Sequence, residues 1–337
     1  MLSILLQKDS TNSKRIDLYL ILIRYVIMKF KRLFFIIGAI LLFVYCQAQT
    51  STTFTVATYN MRNANASDST NGDGWGQRYP VIAKMVQFHG FDIFGTQECF
   101  LHQLKNLKQA LPGYSYIGVG RDDGKDRGEH SAIFYRTDKF ELLEKGDFWL
   151  SETPNIPSKG WDAVLPRICS WGHFKCKDTG FEFLFFNLHM DHIGKKARVE
   201  SAYLVQKKMK EINEKLPAIL TGDFNVDQHS NSYKALVAQG NLYDSYEIAN
   251  LRYATNGTFN GFNPNDFTES RIDHVFVSPG FKVIKYGVLT DTYRSKVLDG
   301  EKADVKDAPK EISVETYQAR TPSDHFPVEV KLSFDKP

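Results

Sequence analysis

Ala218-Ile219-Leu220-Thr221-Gly222-Asp223-Phe224-Asn225 is the stretch on which the reading of this chain turns. An apolar run that reads as a strand stops at a glycine and gives way to a carboxylate and an amide two residues apart. Side chains alternate across a strand, so an extended backbone that persists past Gly222 points Asp223 and Asn225 the same way at a strand end. A carboxylate can orient or deprotonate water, and a neutral amide can hold a phosphate oxygen without repelling it. That pairing suits hydrolysis of a phosphate ester.

Outward from this point, polar residues recur wherever an apolar run stops. Thr58-Tyr59-Asn60-Met61-Arg62 closes the first run, Thr96-Gln97-Glu98 the next, then Asn187-Leu188-His189 and Arg271-Ile272-Asp273-His274. Ser323-Asp324-His325-Phe326 precedes the last run, Val328 to Phe334. An Asp binds a hard cation through oxygen, and a His exchanges a proton near neutral pH. Polar residues on one rim of a sheet converge on one cleft. Taken singly, Asn60 could cap a turn and Glu98 could cap a helix starting near Leu101. The ordered set of six argues for a common site instead.

Aromatic and β-branched runs predict strands at Phe54 to Tyr59, Phe91 to Thr96, Tyr114 to Gly118, Ser131 to Tyr135, Phe140 to Leu150, Arg167 to Cys176, Phe181 to Met190, Ala218 to Thr221 and Ile272 to Val277. Phe181 to Leu188 is apolar at both parities apart from Glu182 and Asn187, as in a strand covered on both faces. Ala202, Val205, Met209, Ile212 and Leu216 recur at helical spacing and predict a surface helix. Two further helices are expected over Tyr79 to Phe88, ending at Gly90, and over Leu101 to Leu111. Asp291 to Thr321 is polar and aperiodic and reads as a long loop. This alternation suits two sheets flanked by helices.

The six ordered motifs resemble those of the endonuclease/exonuclease/phosphatase superfamily, the DNase-I-like fold, in an exported bacterial branch, over roughly residues 53 to 334. The resemblance implies an α+β fold, a four-layer α/β/β/α sandwich of two mostly antiparallel sheets flanked by helices. It implies that Asn60, Glu98 and Asp324 bind or support a metal, Mg²⁺ or alternatively Mn²⁺. His189 would stabilise the phosphoryl group or protonate a leaving oxygen, Asp223 would position or deprotonate water, and Asn225 would hold the phosphate. His325, oriented by Asp273, would be the other acid/base group. Arg62, Glu129, Arg167 and His192 are expected at the substrate, with a structural hydrogen-bonding role as the alternative. Gly120 to Gly124, Gly128 to His130, Phe148 to Pro154 and Gly160 to Ala163 are expected to shape the pocket. His274 follows Asp273 on a strand and should face away.

The first 48 residues read differently. Met28-Lys29-Phe30-Lys31-Arg32 precedes an apolar run from Leu33 to Tyr45 and then Cys46-Gln47-Ala48, the layout of a secretory signal cleaved after Ala48. The run is short of the roughly 20 residues that span a bilayer. Tyr45 stands where a lipid-attachment signal would carry a small residue before Cys46, which argues against a lipid anchor. Residues 1 to 27 read as an upstream extension, residues 49 to 337 as one catalytic domain without a transmembrane helix, periplasmic or extracellular and monomeric.

Residues 1 to 48 hold 7 of the 42 Lys+Arg and 2 of the 39 Asp+Glu, so the remainder has 35 basic and 37 acidic residues. A chain dedicated to gripping long nucleic acid usually carries a basic surplus, so nucleic acid is not the favoured partner. Cys99, Cys169 and Cys176 lack the spacing of a zinc site, and buried thiols are expected. The reading is therefore an exported, divalent-metal-dependent phosphoester hydrolase, favouring a phosphodiester, with in-line attack by water. A sugar phosphate, a glycan phosphodiester and a phospholipid head group are the candidate substrates. A secreted nuclease is the alternative, and a silent binding module the third reading.

Overall fold

The computed structural model describes residues 19–38, 51–296, 309–312 and 314–335. Two compact units result, one ending at Ser51 and one spanning Thr52–Pro337. In the first, residues 19–38 form an exposed helix, and no helix among the described residues is long and apolar enough to cross a membrane. The cleavage region around Cys46 to Ala48 lies outside the described residues.

The second unit holds two mixed sheets. One runs in the order β10 (Leu251–Tyr253), β12 (Phe281–Val288), β15 (Val328–Asp335), β1 (Ser51–Asn60), β2 (Ile93–Gln97), β4 (Ile133–Arg136) and β3 (Tyr114–Ile117). The other runs β5 (Phe140–Trp149), β6 (Ile168–Cys176), β7 (Glu182–His189), β8 (Ala218–Asp223), β11 (Asp273–Val277) and β9 (Tyr243–Asp244). β1 with β2, β7 with β8 and β10 with β12 run parallel, while β2 with β4, β3 with β4, β12 with β15, β5 with β6, β6 with β7, β8 with β11 and β9 with β11 run antiparallel, so both sheets are mostly antiparallel, as expected.

Strand alternation sorts the apolar residues into three cores. Phe54, Val56, Ile93, Phe183, Phe185, Ile219, Val275 and Val330 meet between the sheets. Leu184, Phe186, Leu188, Leu220 and Phe276, on the opposite parity, pack under α4 (Lys195–Asn213) and α5 (Asn231–Val237) through Ala202, Val205 and Leu236. Ala57, Tyr59, Phe94 and Phe134 face α2 (Trp75–His89) and α3 (Leu101–Ala110), reached after the short α1 (Ala66–Thr70). The result is the four-layer α/β/β/α sandwich. Phe183 and Phe185 are wholly buried, and truncating either to Ala should cost about 3–5 kcal/mol.

A polar pin crosses the inter-sheet core. Asn187 Nδ2 donates to the carbonyls of Thr96 and Ala132, at 2.9 and 3.0 Å, and its Oδ1 accepts from Gln97 Nε2 and Thr221 Oγ1. All four bonding directions of the amide are used, which offsets the cost of burying it. Gly95 makes room for it: a Cβ there would stand 2.1 Å from Asn187 Oδ1.

Several expectations change. The helix expected from Tyr79 starts at Trp75, because Gln77 and Arg78 already donate to the carbonyl of Gly74, and Pro80 lies inside it. α4 ends at Asn213, before Leu216. Strand β12 escaped the sequence reading because a register shift between Val283 and Lys285 breaks its alternation. The expected loop from Asp291 to Thr321 has paired ends: β13 (Tyr293–Lys296) and β14 (Tyr317–Arg320) form an antiparallel ribbon whose largely exposed face left no apolar period to read. The middle of that segment, 297–308, lies outside the described residues. Cys99, Cys169 and Cys176 are buried free thiols.

Candidate active site

Register assembles the site. Asp223 is paired with His189 across the parallel β7 and β8 and with Asp273 across the antiparallel β8 and β11, while Asn60 pairs with Gln97. Phe54 and Val56, Phe183 and Phe185, Ile219, and Val275 all face the other sheet, so at the same parity Asn60, His189, Asp223 and Asp273 do too. The inter-sheet core therefore ends in polar residues on one rim. Gly222 permits the crowding there, since a Cβ on it would stand 2.4 Å from the Leu188 carbonyl.

Asp223 is the hub. Its Oδ2 accepts from Asn60 Nδ2 at 2.9 Å and lies 3.6 Å from His189 Nε2 and 3.8 Å from His325 Nε2; its Oδ1 accepts from the Asn225 amide at 2.8 Å. Asn225 does not continue the strand. It turns at φ 51°, and its Nδ2 donates to the Met190 carbonyl, which brings its side chain to the same cavity by a turn rather than by strand parity. His325 Nδ1 donates to Asp273 Oδ2 at 2.8 Å, so Asp273 stands behind His325 and does not line the cavity.

Burial pushes the Asp223 carboxyl up to about 7, with the nearby Asp273 charge adding to it and His325 and Asn60 opposing. Burial likewise raises Asp324 and Glu129. His189 is driven well below its ordinary value by burial and by the cations Arg167 and Arg121. Burial alone would lower His325 too, but the Asp273 carboxylate outweighs it and holds the ring well above its ordinary value. The two histidines thus sit in opposite protonation states near neutral pH, one neutral and one charged.

The cavity they face has a volume of about 380 Å³, within the range of small-molecule sites. Glu98, Asp223, Asp324 and Glu129 line it, with Arg62 3.5 Å from Asp324 and also bonded to Asp68, and with Arg121 paired to Glu129. Arg167, His189, His192 and Asn225 line it too, His189 Nε2 lying 3.6 Å from Asp223 Oδ2. Arg121 Nε, Arg167 Nη1 and His189 Nδ1 are buried with no hydrogen-bond partner, so bonding capacity is left unused among the residues that line the cavity.

Ligand atoms of Glu98, His189 and Asp223 lie within 4.8 Å of one another, and those of Asp223, Asp273 and His325 do the same. In the second set His325 Nδ1 and Asp273 Oδ2 already satisfy each other, so the first is the better cation seat. Burial that disfavours the charged carboxylates of Asp223 and Asp324 would be offset by a divalent cation beside them. Asn60, expected to bind or support a metal, is buried and absent from the cavity lining, with Nδ2 donating to Glu98 and Asp223 and Oδ1 accepting from the Arg62 amide. Its contact with the carboxylates is through nitrogen, which makes it their positioning residue. Glu98 does not cap α3; Gln103 bonds the Phe100 amide in that place.

The sequence reading did not pick out Asn63, Arg121, Leu165 or Phe259, all of which line the cavity. Arg121 lay within a segment flagged as pocket-shaping. Phe259 lay in a Gly- and Asn-rich loop without periodicity. His274, as expected, faces away and packs on Phe224 and Phe276.

A model of the Endonuclease/Exonuclease/phosphatase family matches residues 57–325. The crystal structure of an endonuclease/exonuclease/phosphatase family protein from Bacteroides thetaiotaomicron is 74% identical, with a TM-score of 0.78 over 85% of this chain and 99% of that one. A mannosyl-6-phosphatase from Bacteroides thetaiotaomicron VPI-5482 is 75% identical, with a TM-score of 0.76 over 83% of this chain and 99% of that one. A family member from Bacteroides vulgatus is 36% identical, with a TM-score of 0.73 over 84% of this chain and 100% of that one.

Proposed function

The chain belongs to the Endonuclease/Exonuclease/phosphatase family and is a phosphoric ester hydrolase, and from that premise we propose that it removes phosphate from the 6-position of a sugar with the help of a divalent cation. The observation that carries the reading is the cavity that brings the carboxylates Glu98, Asp223 and Asp324 together with the cations Arg121 and Arg167 and with His189, whose side chains keep buried nitrogens without partners. A 75% identical mannosyl-6-phosphatase supports the sugar, and with it a monoester in place of the diester favoured from sequence.

A Mg²⁺ ion held by Glu98, with Asp223 and Asp324 beside it, supplies positive charge against the phosphate oxygens when bound. Oxygen ligands favour magnesium, while recruitment of His189 would favour manganese or zinc. Arg121, Arg167 and Asn225 hold the remaining oxygens. Asp223, held between Asn60 and the Asn225 amide at the end of its strand, takes a proton from the attacking water. The water oxygen bonds to phosphorus, the bond from phosphorus to the sugar oxygen breaks, and that oxygen leaves as the alcohol by taking a proton from solvent, to which Asp223 later returns its own. His325, kept charged by Asp273, stabilises the transferring group. No covalent enzyme intermediate forms in this scheme; trapping a phosphoenzyme would refute it.

The test is inorganic phosphate release by residues 49–337 with Mg²⁺ from mannose 6-phosphate, compared with bis-p-nitrophenyl phosphate and plasmid DNA. Preference for the sugar monoester is expected, and nicking of DNA at a higher kcat/KM would overturn the assignment. We also propose export through residues 28–48. Amino-terminal sequencing of protein recovered outside the cytoplasm should start at Gln49, and retention of residues 28–45 would refute it.

A further inference from the structure

The catalytic cavity does not end at Phe259. A second cavity of about 410 Å³ lies beyond it, and the two share Phe259 and Ile272 as common wall. The Phe259 ring meets the His325 ring edge-on at 5.2 Å on the catalytic side, and the backbones of the two residues form a β-bridge. Phe267, 69% exposed, is another aromatic lining residue of the second cavity, in a loop otherwise composed largely of small and polar residues.

Three features mark this cavity as a prepared site. Asn260, 2% exposed, lines it, and its Oδ1 is engaged by Thr321 and by the Phe262 amide while its Nδ2 has no partner. A buried amide nitrogen without an acceptor costs about 1–3 kcal/mol unless a ligand supplies one. Asp266 is held in place on the rim by Asn263 Nδ2 at 2.6 Å and through its carbonyl by Asn256 at 2.7 Å. The loop is also fastened to the reaction centre, since the Asn260 and Gly261 amides both donate to the Asp324 carbonyl, at 2.8 and 3.1 Å. Two aromatic faces beside an amide donor and a carboxylate suit a pyranose, whose C–H face stacks on a ring while its hydroxyls take and give hydrogen bonds.

We infer that the cavity walled by Phe259, Asn260, Asp266 and Phe267 binds a second sugar unit attached to the phosphorylated one, so that the preferred substrate is a phosphorylated oligosaccharide rather than a free hexose 6-phosphate. This rests on the sugar-phosphatase reading of the adjoining site. The catalytic cavity holds the phosphate and its own sugar, and the chain of the glycan continues across Phe259.

The experiment compares kcat/KM for mannose 6-phosphate and for a mannobiose phosphorylated at C6 of its non-reducing unit, in the wild type, Phe267→Ala and Asp266→Ala. The ratio of the two substrates is read within each protein, so any general loss cancels. The wild type should favour the disaccharide by 10-fold or more, mainly in KM, and either variant should bring the ratio towards 1. A wild-type ratio near 1, or a ratio unchanged in both variants, overturns the second site while leaving the phosphatase reading intact. Turnover of p-nitrophenyl phosphate with neither sugar phosphate hydrolysed overturns both. As a measurement free of turnover, calorimetry with unphosphorylated mannobiose and the Phe267→Ala protein should show weaker binding than the wild type; equal binding counts against the site.

Discussion

Asp273 and His274 are consecutive residues of β11, yet they belong to polar clusters on opposite faces of one sheet. On the helix side, Asp244 accepts from Tyr246 N at Oδ1 and from Tyr233 Oη and Arg271 Nη1 at Oδ2, with His274 3.7 Å away. Both of its oxygens are engaged, and Arg271 also lies 3.8 Å from the Tyr246 ring centroid. On the inter-sheet side, Asp273 engages His325 through one oxygen and leaves the other unpartnered, and the cavity beyond contains further unmatched N–H groups. Strand parity sends one residue to each cluster. Within the Asp244 cluster only the ring of His274 breaks the pairing, its Nδ1 having no hydrogen-bond partner, so that cluster is the more fully paired and fastens the fold, while the cluster around Asp223 keeps more bonding capacity unused.

The largest expected effect separates the two directly. Asp223→Asn should lower kcat by about 10²–10⁴-fold while leaving the melting temperature near that of the wild type, because it removes a proton acceptor from the open cluster. Asp244→Ala should do the reverse, costing about 3–5 kcal/mol in denaturant unfolding by stranding the buried Arg271, with kcat per folded molecule retained. An Asp244→Ala protein that is fully stable would break the comparison.

Arg78 sharpens it from a third position. Its guanidinium is wholly buried and donates to the carbonyls of Met61, Asp73, Arg62 and Pro322, tying the end of β1 to the turn that carries Asp324; Phe262 lies over it at 5.4 Å. Arg78→Met should cost about 3 kcal/mol of stability and also reduce activity, since four carbonyls lose a charged donor. Asp273→Asn is expected to lower kcat about 10²-fold, with a shifted pH profile, because His325 loses the charge that orients it and keeps it protonated.

The smallest effect is in acid. Burial alone would raise the Asp244 carboxyl, but His274 and Arg271 outweigh it and hold it well below the ordinary carboxylate range. A carboxyl depressed in the folded state stabilises above its unfolded value of about 3.9, and that contribution fades as pH falls towards the folded one. Unfolding measured from pH 5 down to pH 2 should therefore show about 1–3 kcal/mol of acid-sensitive stability that Asp244→Asn lacks.

The comparison also explains what could be read from the sequence. Residues at strand ends were legible: Asn60, His189 and Asp223 each close an apolar run, Asp273 opens one, and the face of His274 follows from the alternation of side chains along it. Arg62, Glu129, Arg167 and His192 all reach the cavity. Where turns or loops place a residue, its path to the cavity was not legible, even for Asn225, which was singled out and does line it. Asn225 arrives through a left-handed residue, Phe259 through an irregular loop, and the nitrogen of Asn60, rather than its oxygen, faces the carboxylates because the Arg62 amide takes the oxygen. β12 and the ribbon of β13 and β14 were missed for a related reason, one through a register shift and the other through exposure, and both erase the alternation that marks a strand.

Whether the under-paired cluster around Asp223 is a cation-assisted reaction centre is decided by phosphate release from mannose 6-phosphate by the wild type and Asp223→Asn, each with Mg²⁺ and then with excess EDTA. Turnover is expected only in the wild type with Mg²⁺, lost on chelation and restored by adding the ion back. Turnover that survives EDTA, or an Asp223→Asn protein as active as the wild type, would contradict it.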